Sequence, residues 1–234
     1  MGSVLALTRP MPERESDIAA IKDAVRRHWS TRAATFDDAP NHGLHTPQQE
    51  HAWQVHLRRW AGADPVNVLD IGCGTGFLAL QLAGLGHRVL GIDAAREMLD
   101  IAQAKAIRAG LEVSFQQADA EHLLYEARSF DLAVERHVLW TLSRPAVALA
   151  EWRRVLRPGG QLVLIEGDWR GPGHADYAPL REHLPLFGGR PAAELSDLVR
   201  QAGFRDVEWE PLMDAVLWGA EPDRERYALL GRAP

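Results

Sequence analysis

Three glycines at alternate positions, Gly72, Gly74 and Gly76, follow the apolar run Val68-Leu69-Asp70-Ile71 and precede the helix-forming stretch that begins Phe77-Leu78-Ala79. Glycine tolerates positive φ and lets the backbone approach a ligand closely. The start of the following helix presents unpaired N–H groups that favour negative charge. The turn therefore reads as a ligand cradle. A dinucleotide cradle needs its third glycine three residues after the second, where this chain has Phe77, and that disfavours a dinucleotide-dependent oxidoreductase. The spacing suits a ligand without a pyrophosphate, held by an amino-acid part and a nucleoside. Asp93 ends the run Leu90-Gly91-Ile92-Asp93, about 20 residues on, where a carboxylate accepts the ribose hydroxyls. Asp119, in Gln117-Ala118-Asp119-Ala120, follows the next run, where a carboxylate takes the amino group of the base and a backbone N–H meets its ring. Each aspartate alone reads equally well as a helix N-cap; their placement after consecutive strands, on one sheet edge, is the stronger signal.

A second constellation is Glu135-Arg136-His137-Val138-Leu139-Trp140, after the fourth apolar run. Open α/β sheets bind ligands at that end of the strands. His137 is the candidate general base, because imidazole titrates near neutral pH; a hydrogen-bonded structural histidine is its alternative. Arg136 reads as a contact to a ligand carboxylate or to an acceptor oxygen. Trp140 offers a flat wall for an aromatic acceptor, or else belongs to the core. Cys73, the sole thiol, reads as a small residue within the turn and not as a nucleophile. His42, His45, His51 and His56 have no compact ligand spacing and no cysteine nearby, so no metal site is expected.

The elements that must hold these residues follow from periodicity. From Val66 onward, β-branched runs alternate with helical stretches, which implies a parallel sheet with crossover helices. Strands are expected at 67–71, 88–92, 112–117, 130–135, 161–166, 204–211 and 227–232, the last antiparallel inside the sheet. Helices are expected at 76–85, 95–109, 144–156 and 191–202, each ending at a stop signal such as Gly110 or Pro158-Gly159-Gly160. Upstream, Ser16 is a plausible N-cap for one helix, and Thr46-Pro47 opens another that runs to Trp60. Residues 1–15 read as a mobile lead, and 168–190 as a loop-rich insertion of the length that usually carries function.

A chain of 234 residues suits one α/β domain, with residues 1–61 as a helical lid segment and 62–234 as the core. The net charge of −6 gives no footprint for nucleic acid, and pairs such as Arg26-Arg27 and Arg153-Arg154 read as solvated helix faces. One cysteine permits no internal disulfide, and no stretch has the length and apolarity of a membrane span or a signal peptide. A soluble, cytoplasmic monomer or homodimer acting on a small molecule is expected.

The pieces Val68-Leu69-Asp70-Ile71-Gly72-Cys73-Gly74-Thr75-Gly76, Gly91-Ile92-Asp93, Asp119-Ala120-Glu121, Ser129-Phe130-Asp131 and Arg154-Val155-Leu156-Arg157-Pro158-Gly159-Gly160 together resemble the class I methyltransferases that modify small metabolites and quinones. The resemblance covers a little under half the chain. It implies a Rossmann-like, seven-stranded, mostly parallel sheet with an antiparallel last strand, helices on both faces and an N-terminal helical lid. It also implies S-adenosylmethionine as methyl donor and S-adenosylhomocysteine as product. By carry-over, Gly72 and its neighbours Asp70, Cys73 and Gly74 hold the methionine part. Asp93 with Ala94 takes the ribose, and Asp119 with Ala120 and Glu121 the adenine. Met98 packs on the adenine face or in the helix core, and Glu135 and Arg136 complete the donor site. The stretch from His28 to Asp37 resembles the donor-covering entry segment of related enzymes, with Trp29 and Arg32 as donor contacts.

Methyl transfer from a sulfonium needs alignment and a dry site, so no fixed catalytic signature is expected beyond a base where the acceptor carries a proton. Eight tryptophans are many for this length, and Trp29, Trp53, Trp140, Trp169 and Trp218 lie in segments able to reach one pocket. They point to a flat, aromatic or heteroaromatic acceptor methylated on nitrogen or oxygen, with Trp140, Trp169 and His28 as its contacts. Carbon methylation of a quinone-like ring is the runner-up, and a non-catalytic module binding the same donor is the alternative.

Overall fold

The computed structural model describes residues 14–170 and 180–234; most of the lead expected at 1–15 and residues 171–179 of the expected insertion lie outside them. The described residues open with helix α1 (Glu15–Arg32), a 3₁₀ segment (Ala33–Asp38) and α2 (Pro47–Ala61). It then alternates β1 (Asn67–Ile71), α3 (Phe77–Gly84), β2 (Arg88–Asp93), α4 (Arg96–Ala109), β3 (Ser114–Gln117), β4 (Phe130–Arg136), α5 (Pro145–Val155), β5 (Leu156–Gly167), α6 (Ala192–Gln201), β6 (Arg205–Pro211), α7 (Ala215–Trp218) and β7 (Arg226–Arg232).

The strands form one sheet in the order β3-β2-β1-β4-β5-β7-β6. The last strand pairs antiparallel with both β5 and β6, as expected, and leaves the other six parallel. Side chains alternate across a strand with period two, and that alternation sorts the core into two layers. Leu69, Ile71, Ala133, Leu162, Leu164 and Leu229 face the layer formed with Trp152 and Leu149 of α5 and Val199 of α6. Val68, Val134, Val163, Ile165 and Ala228 face Trp53 and Leu57 of α2, Leu78 and Leu82 of α3, and Trp218 of α7. Strands buried on both faces read as nearly continuous apolar runs, which is why β1 and β5 are so legible.

Boundaries differ from expectation where local competition decided them. Ser16 is not the cap of α1. Arg14 holds that position without a side-chain bond, and the helix gains instead from Glu15 and Asp17 in its first turn. Thr46 does cap α2, its Oγ1 accepting from the Gln49 N–H at 3.1 Å, with Pro47 in the first turn. The helix expected to reach 156 stops at Val155. Arg157 precedes a proline and is pushed out of the helical region, so Leu156 turns extended and pairs with Phe130 of β4. Residues 14–61 divide between two sites. Helix α1 and the 3₁₀ segment cross the carboxyl ends of the strands, whereas Trp53, Leu57 and Trp60 of α2 are buried in the core.

Candidate active site

A cleft of about 960 Å³ runs over the carboxyl ends of β1, β2 and β4 and is walled by α1. The glycine turn forms its floor. Gly72, Gly74 and Gly76 all have positive φ (62°, 53° and 89°), the region for which glycine is required. A Cβ on Gly72 would stand 2.4 Å from Val138 Cγ2, so backbone and cleft meet there with no room for a side chain. Asp93 braces the turn from β2: its Oδ2 accepts from the Gly74 N–H at 2.9 Å and its Oδ1 from the Ala95 N–H at 2.8 Å. Burial pushes the Asp93 carboxyl up, while these N–H donors pull it back.

The acids of the far end are tied to α1. Lys22 Nζ lies 2.7 Å from both Asp119 Oδ2 and Glu121 Oε2. Glu121 also accepts from Ser143 Oγ and the Arg144 N–H, each at 2.8 Å. Burial alone would raise the Glu121 carboxyl, but Lys22, Arg144 and Ser143 hold it below its ordinary value. The 3₁₀ segment is clamped in the same way, because Asp37 accepts from Thr75 Oγ1 at 2.6 Å and pairs with Lys105 Nζ at 2.7 Å. Trp29 stands edge-on to Phe36 at 5.9 Å, and both pack against the buried cluster of Ala33, Ala95 and Met98.

Of the residues expected at the site, His28, Trp29, Arg32, Gly72, Gly74, Asp93, Ala94, Met98, Asp119, Ala120, Glu121, Arg136, His137, Trp140 and Trp169 line the cleft. Met98 and Trp140 do so while almost wholly buried, so both belong to core and cleft at once. Three others, Asp70, Cys73 and Glu135, do not line it. Asp70 is 1% exposed beneath the turn, where it accepts from the backbone N–H of Ala79 in α3, and burial raises its carboxyl to about 8. Cys73 points into the core against Gly91, and burial pushes its thiol well above the ordinary value. Glu135 is fully buried and holds the turn after β4 from inside, its Oε2 accepting from the Val138 N–H at 2.7 Å. Trp53 and Trp218 do not reach the cleft either, because their indole N–H groups are committed to the carbonyls of Leu217 and Leu212.

His137 is held with φ 63°, its backbone N–H donating to the Ile165 carbonyl at 3.0 Å. Its ring stacks over Trp218 at 5.6 Å and meets Trp169 edge-on at 4.7 Å. Its Nε2 is buried with no hydrogen-bond partner among the described residues. Burial, and after it Arg136, Arg226 and His42, hold the imidazole well below its ordinary pKa of 6.5, so the ring is neutral at physiological pH. Arg136 lies 3.5 Å over the Phe77 ring and donates to the carbonyls of Asn41 and His42, tying that loop to the end of β4. Burial lowers its pKa to about 9.

Behind this turn lies a feature with no local signal in the sequence. Glu135 and Glu166, on adjacent strands, are both fully buried, and Glu166 Oε1 accepts from the Leu139 N–H at 3.0 Å. Burial and their mutual repulsion raise Glu135 well above the carboxylate range, and burial carries Glu166 to about 8, so the pair holds a proton. A carboxyl raised from 4.5 in the unfolded chain contributes stability that is complete below that value and is lost as pH rises through about 8. The melting temperature should therefore fall between pH 7 and pH 9. In Glu166→Gln, which keeps an acceptor for Leu139 and supplies a donor to Glu135, the fall should be smaller, with Asp70 accounting for what remains. Differential scanning fluorimetry at the two pH values checks this, and an equal fall in both proteins would remove the pair from the account.

A doubly wound sheet with a glycine cradle after its first strand, and acids after the next two, defines a nucleoside-binding domain of the Rossmann-like class. The family model described as Methyltransferase domain matches residues 69–164. The chain is 36% identical over 151 residues to a Bdellovibrio bacteriovorus protein named ubiquinone/menaquinone biosynthesis C-methyltransferase, which covers 62% of each. To the uncharacterized methyltransferase YodH of Bacillus subtilis it is 32% identical over 174 residues, or 69% of this chain and 73% of that one. It thus spans less than two thirds of the length of the Bdellovibrio relative. Among solved structures, the cyclase SpnF superposes with a TM-score of 0.71 at 24% identity, over 90% of this chain and 95% of that one. Phosphoethanolamine N-methyltransferase 2 of Haemonchus contortus, in complex with S-adenosyl-L-methionine, gives 0.69 at 18%, over 92% and 60%. Both likenesses concern the fold. The chain belongs to the S-adenosylmethionine-dependent methyltransferases.

Proposed function

We propose that the protein transfers a methyl group from S-adenosylmethionine to an oxygen or nitrogen of a small aromatic or heteroaromatic metabolite, releasing S-adenosylhomocysteine. The observation that carries the reading is His137: a neutral imidazole whose Nε2 has no hydrogen-bond partner among the described residues, in a cleft walled by Trp140 and Trp169 and continuous with the glycine cradle. The cradle and Asp93 suit the donor's amino-acid and ribose parts, and the adenine edge falls to Asp119 and Ala120. When bound, the donor supplies a methyl group already activated on a sulfonium. The chain's own residues then align and enclose. Helix α1, pinned by Lys22, excludes water, Trp140 and Trp169 orient the ring, and His137 Nε2 accepts the proton that the acceptor sheds. All of these groups come from one chain, so a monomer or a homodimer serves equally.

Carbon methylation of a quinone-like ring is the second reading, favoured by the name of the Bdellovibrio relative. The two are separated by incubating the protein with methyl-labelled donor and a panel of phenols, aromatic amines, reduced quinones and aliphatic amines. O- or N-methylated aromatic products are expected. Label found only on ring carbon moves the assignment to the second reading, and preference for aliphatic amines overturns both. S-adenosylhomocysteine binding without transfer to any member would leave a donor-binding module.

A further inference from the structure

The charges around the cleft are not distributed evenly. At the donor end each acid has a partner: Asp119 and Glu121 hold Lys22, Asp93 holds two backbone N–H groups, and Asp23 pairs with Arg26. At the acceptor end three arginines line the wall, namely Arg136, Arg224 and Arg226. Two of them are committed. Arg136 donates to the carbonyls of residues 41 and 42, and Arg224 donates to the Arg170 carbonyl at 2.7 Å and lies 3.7 Å from Asp223.

Arg226 is different. It is the first residue of β7, paired with Gly167 of β5, which places it beside the segment that carries Trp169. Its guanidinium lies 4.2 Å over the face of Trp218, the same ring on which His137 stacks. Its Nη1 is buried with no hydrogen-bond partner among the described residues. The nearby acids among the described residues are engaged elsewhere: Asp168 pairs with Arg170, and Glu225 accepts from the Ala192 N–H. Asp223 adds only electrostatic attraction at longer range. A buried guanidinium donor left unpaired is costly, and a planar fork on an aromatic face is the arrangement that takes a carboxylate.

We propose that Arg226 is a specificity-determining residue for an acidic acceptor: an aromatic ring bearing a carboxylate that pairs with its guanidinium, oriented so that a second substituent faces His137 Nε2. This deepens the reading above and rests on it for the chemistry. A carboxylate held apart from the reacting atom keeps its charge through the reaction, whereas an arginine paired with the nucleophile itself would blunt it. In the step so arranged, the acceptor's O–H proton passes to His137 Nε2 and the oxygen's freed electron pair forms the new bond to the methyl carbon. The carbon–sulfur bond breaks with its pair to sulfur, and the imidazolium then returns its proton to water.

The probes are hydroxybenzoates, the matching hydroxybenzamides and unsubstituted phenol, titrated calorimetrically into the protein saturated with S-adenosylhomocysteine. The wild type should bind at least one hydroxybenzoate about tenfold or more tightly than its amide, the scale of a charge-assisted bond. Arg226→Met, which keeps the apolar stem on Trp218, should remove that preference. Arg226→Lys should restore part of it. Affinity for S-adenosylhomocysteine, measured separately, should change less than about threefold in both variants and also reports that they fold. Equal binding of acid and amide by the wild type, tighter binding of phenol than of any acid, or a preference that survives Arg226→Met each overturns the proposal. Binding preference and methyl transfer are scored independently. Loss of transfer with an intact acid preference therefore counts against the methyltransferase reading and not against Arg226.

Discussion

Asp93→Ala is expected to weaken S-adenosylhomocysteine binding by about 100-fold or more. The carboxylate does two things at once. It fixes the glycine turn through the N–H groups of Gly74 and Ala95, and it lines the cleft where the donor's ribose is proposed to lie. Hydrogen bonds to a charged group contribute about 1.5–3 kcal/mol each. Loss of two to the ribose is therefore about 3–6 kcal/mol, or at least two powers of ten at 1.4 kcal/mol per tenfold. The freed N–H of Gly74 lets the turn relax and adds to the loss. Asp93→Asn keeps an oxygen for one of the two backbone donors and should fall between wild type and Asp93→Ala. Isothermal titration calorimetry with S-adenosylhomocysteine measures both. A loss under tenfold for Asp93→Ala would mean that the ribose is held elsewhere.

His137→Asn should lower kcat by about 100-fold or more, the usual contribution of a positioned base, with donor affinity changed less than about threefold. Asparagine is the informative replacement because position 137 has φ 63°, a left-handed conformation that histidine and asparagine tolerate better than most residues. Alanine there would mix lost chemistry with new backbone strain. The pH profile gives an independent reading. As the proposed base, His137 works as the neutral ring, and burial, with the guanidinium groups of Arg136 and Arg226 nearby, holds its pKa well below 6.5. Its protonation therefore removes activity only well into the acid range, and kcat should not fall from this group between pH 8 and pH 6.5. A kcat loss below tenfold in His137→Asn would return the residue to a purely structural role on Trp218.

What could be read from the chain alone was whatever is encoded within a single βαβ unit. Gly72, Gly74, Asp93 and Asp119 each stand at a short, fixed offset from a strand end, so a local pattern implies a shared spatial edge. Thr46-Pro47 was legible for the same reason, since cap, proline and the accepted N–H of Gln49 lie within four residues. Ser16 misled because a good capping residue binds only where the helix begins, and α1 begins one residue earlier. Trp53 and Trp218 misled because an aromatic count records apolar surface and not the side from which the sheet buries it.

The groups that close and bias the site had no such signal. Lys22 meets Asp119 across 97 positions, Lys105 meets Asp37 across 68, and Glu135 meets Glu166 across a strand pairing. Arg226 is one arginine among many until β7 inserts between β5 and β6 and lays it on Trp218 beside His137. Strand period and turn chemistry act over a few residues, so the parallel alternation and the glycine cradle are readable in the chain, whereas the antiparallel last strand is what the family resemblance implies. Which lysine of α1 meets Asp119 and Glu121, which buried carboxyls share a proton, and which buried arginine nitrogen has no hydrogen-bond partner among the described residues are settled only when the chain folds. Burial and long-range pairing belong to the folded whole, and no window of the chain contains them.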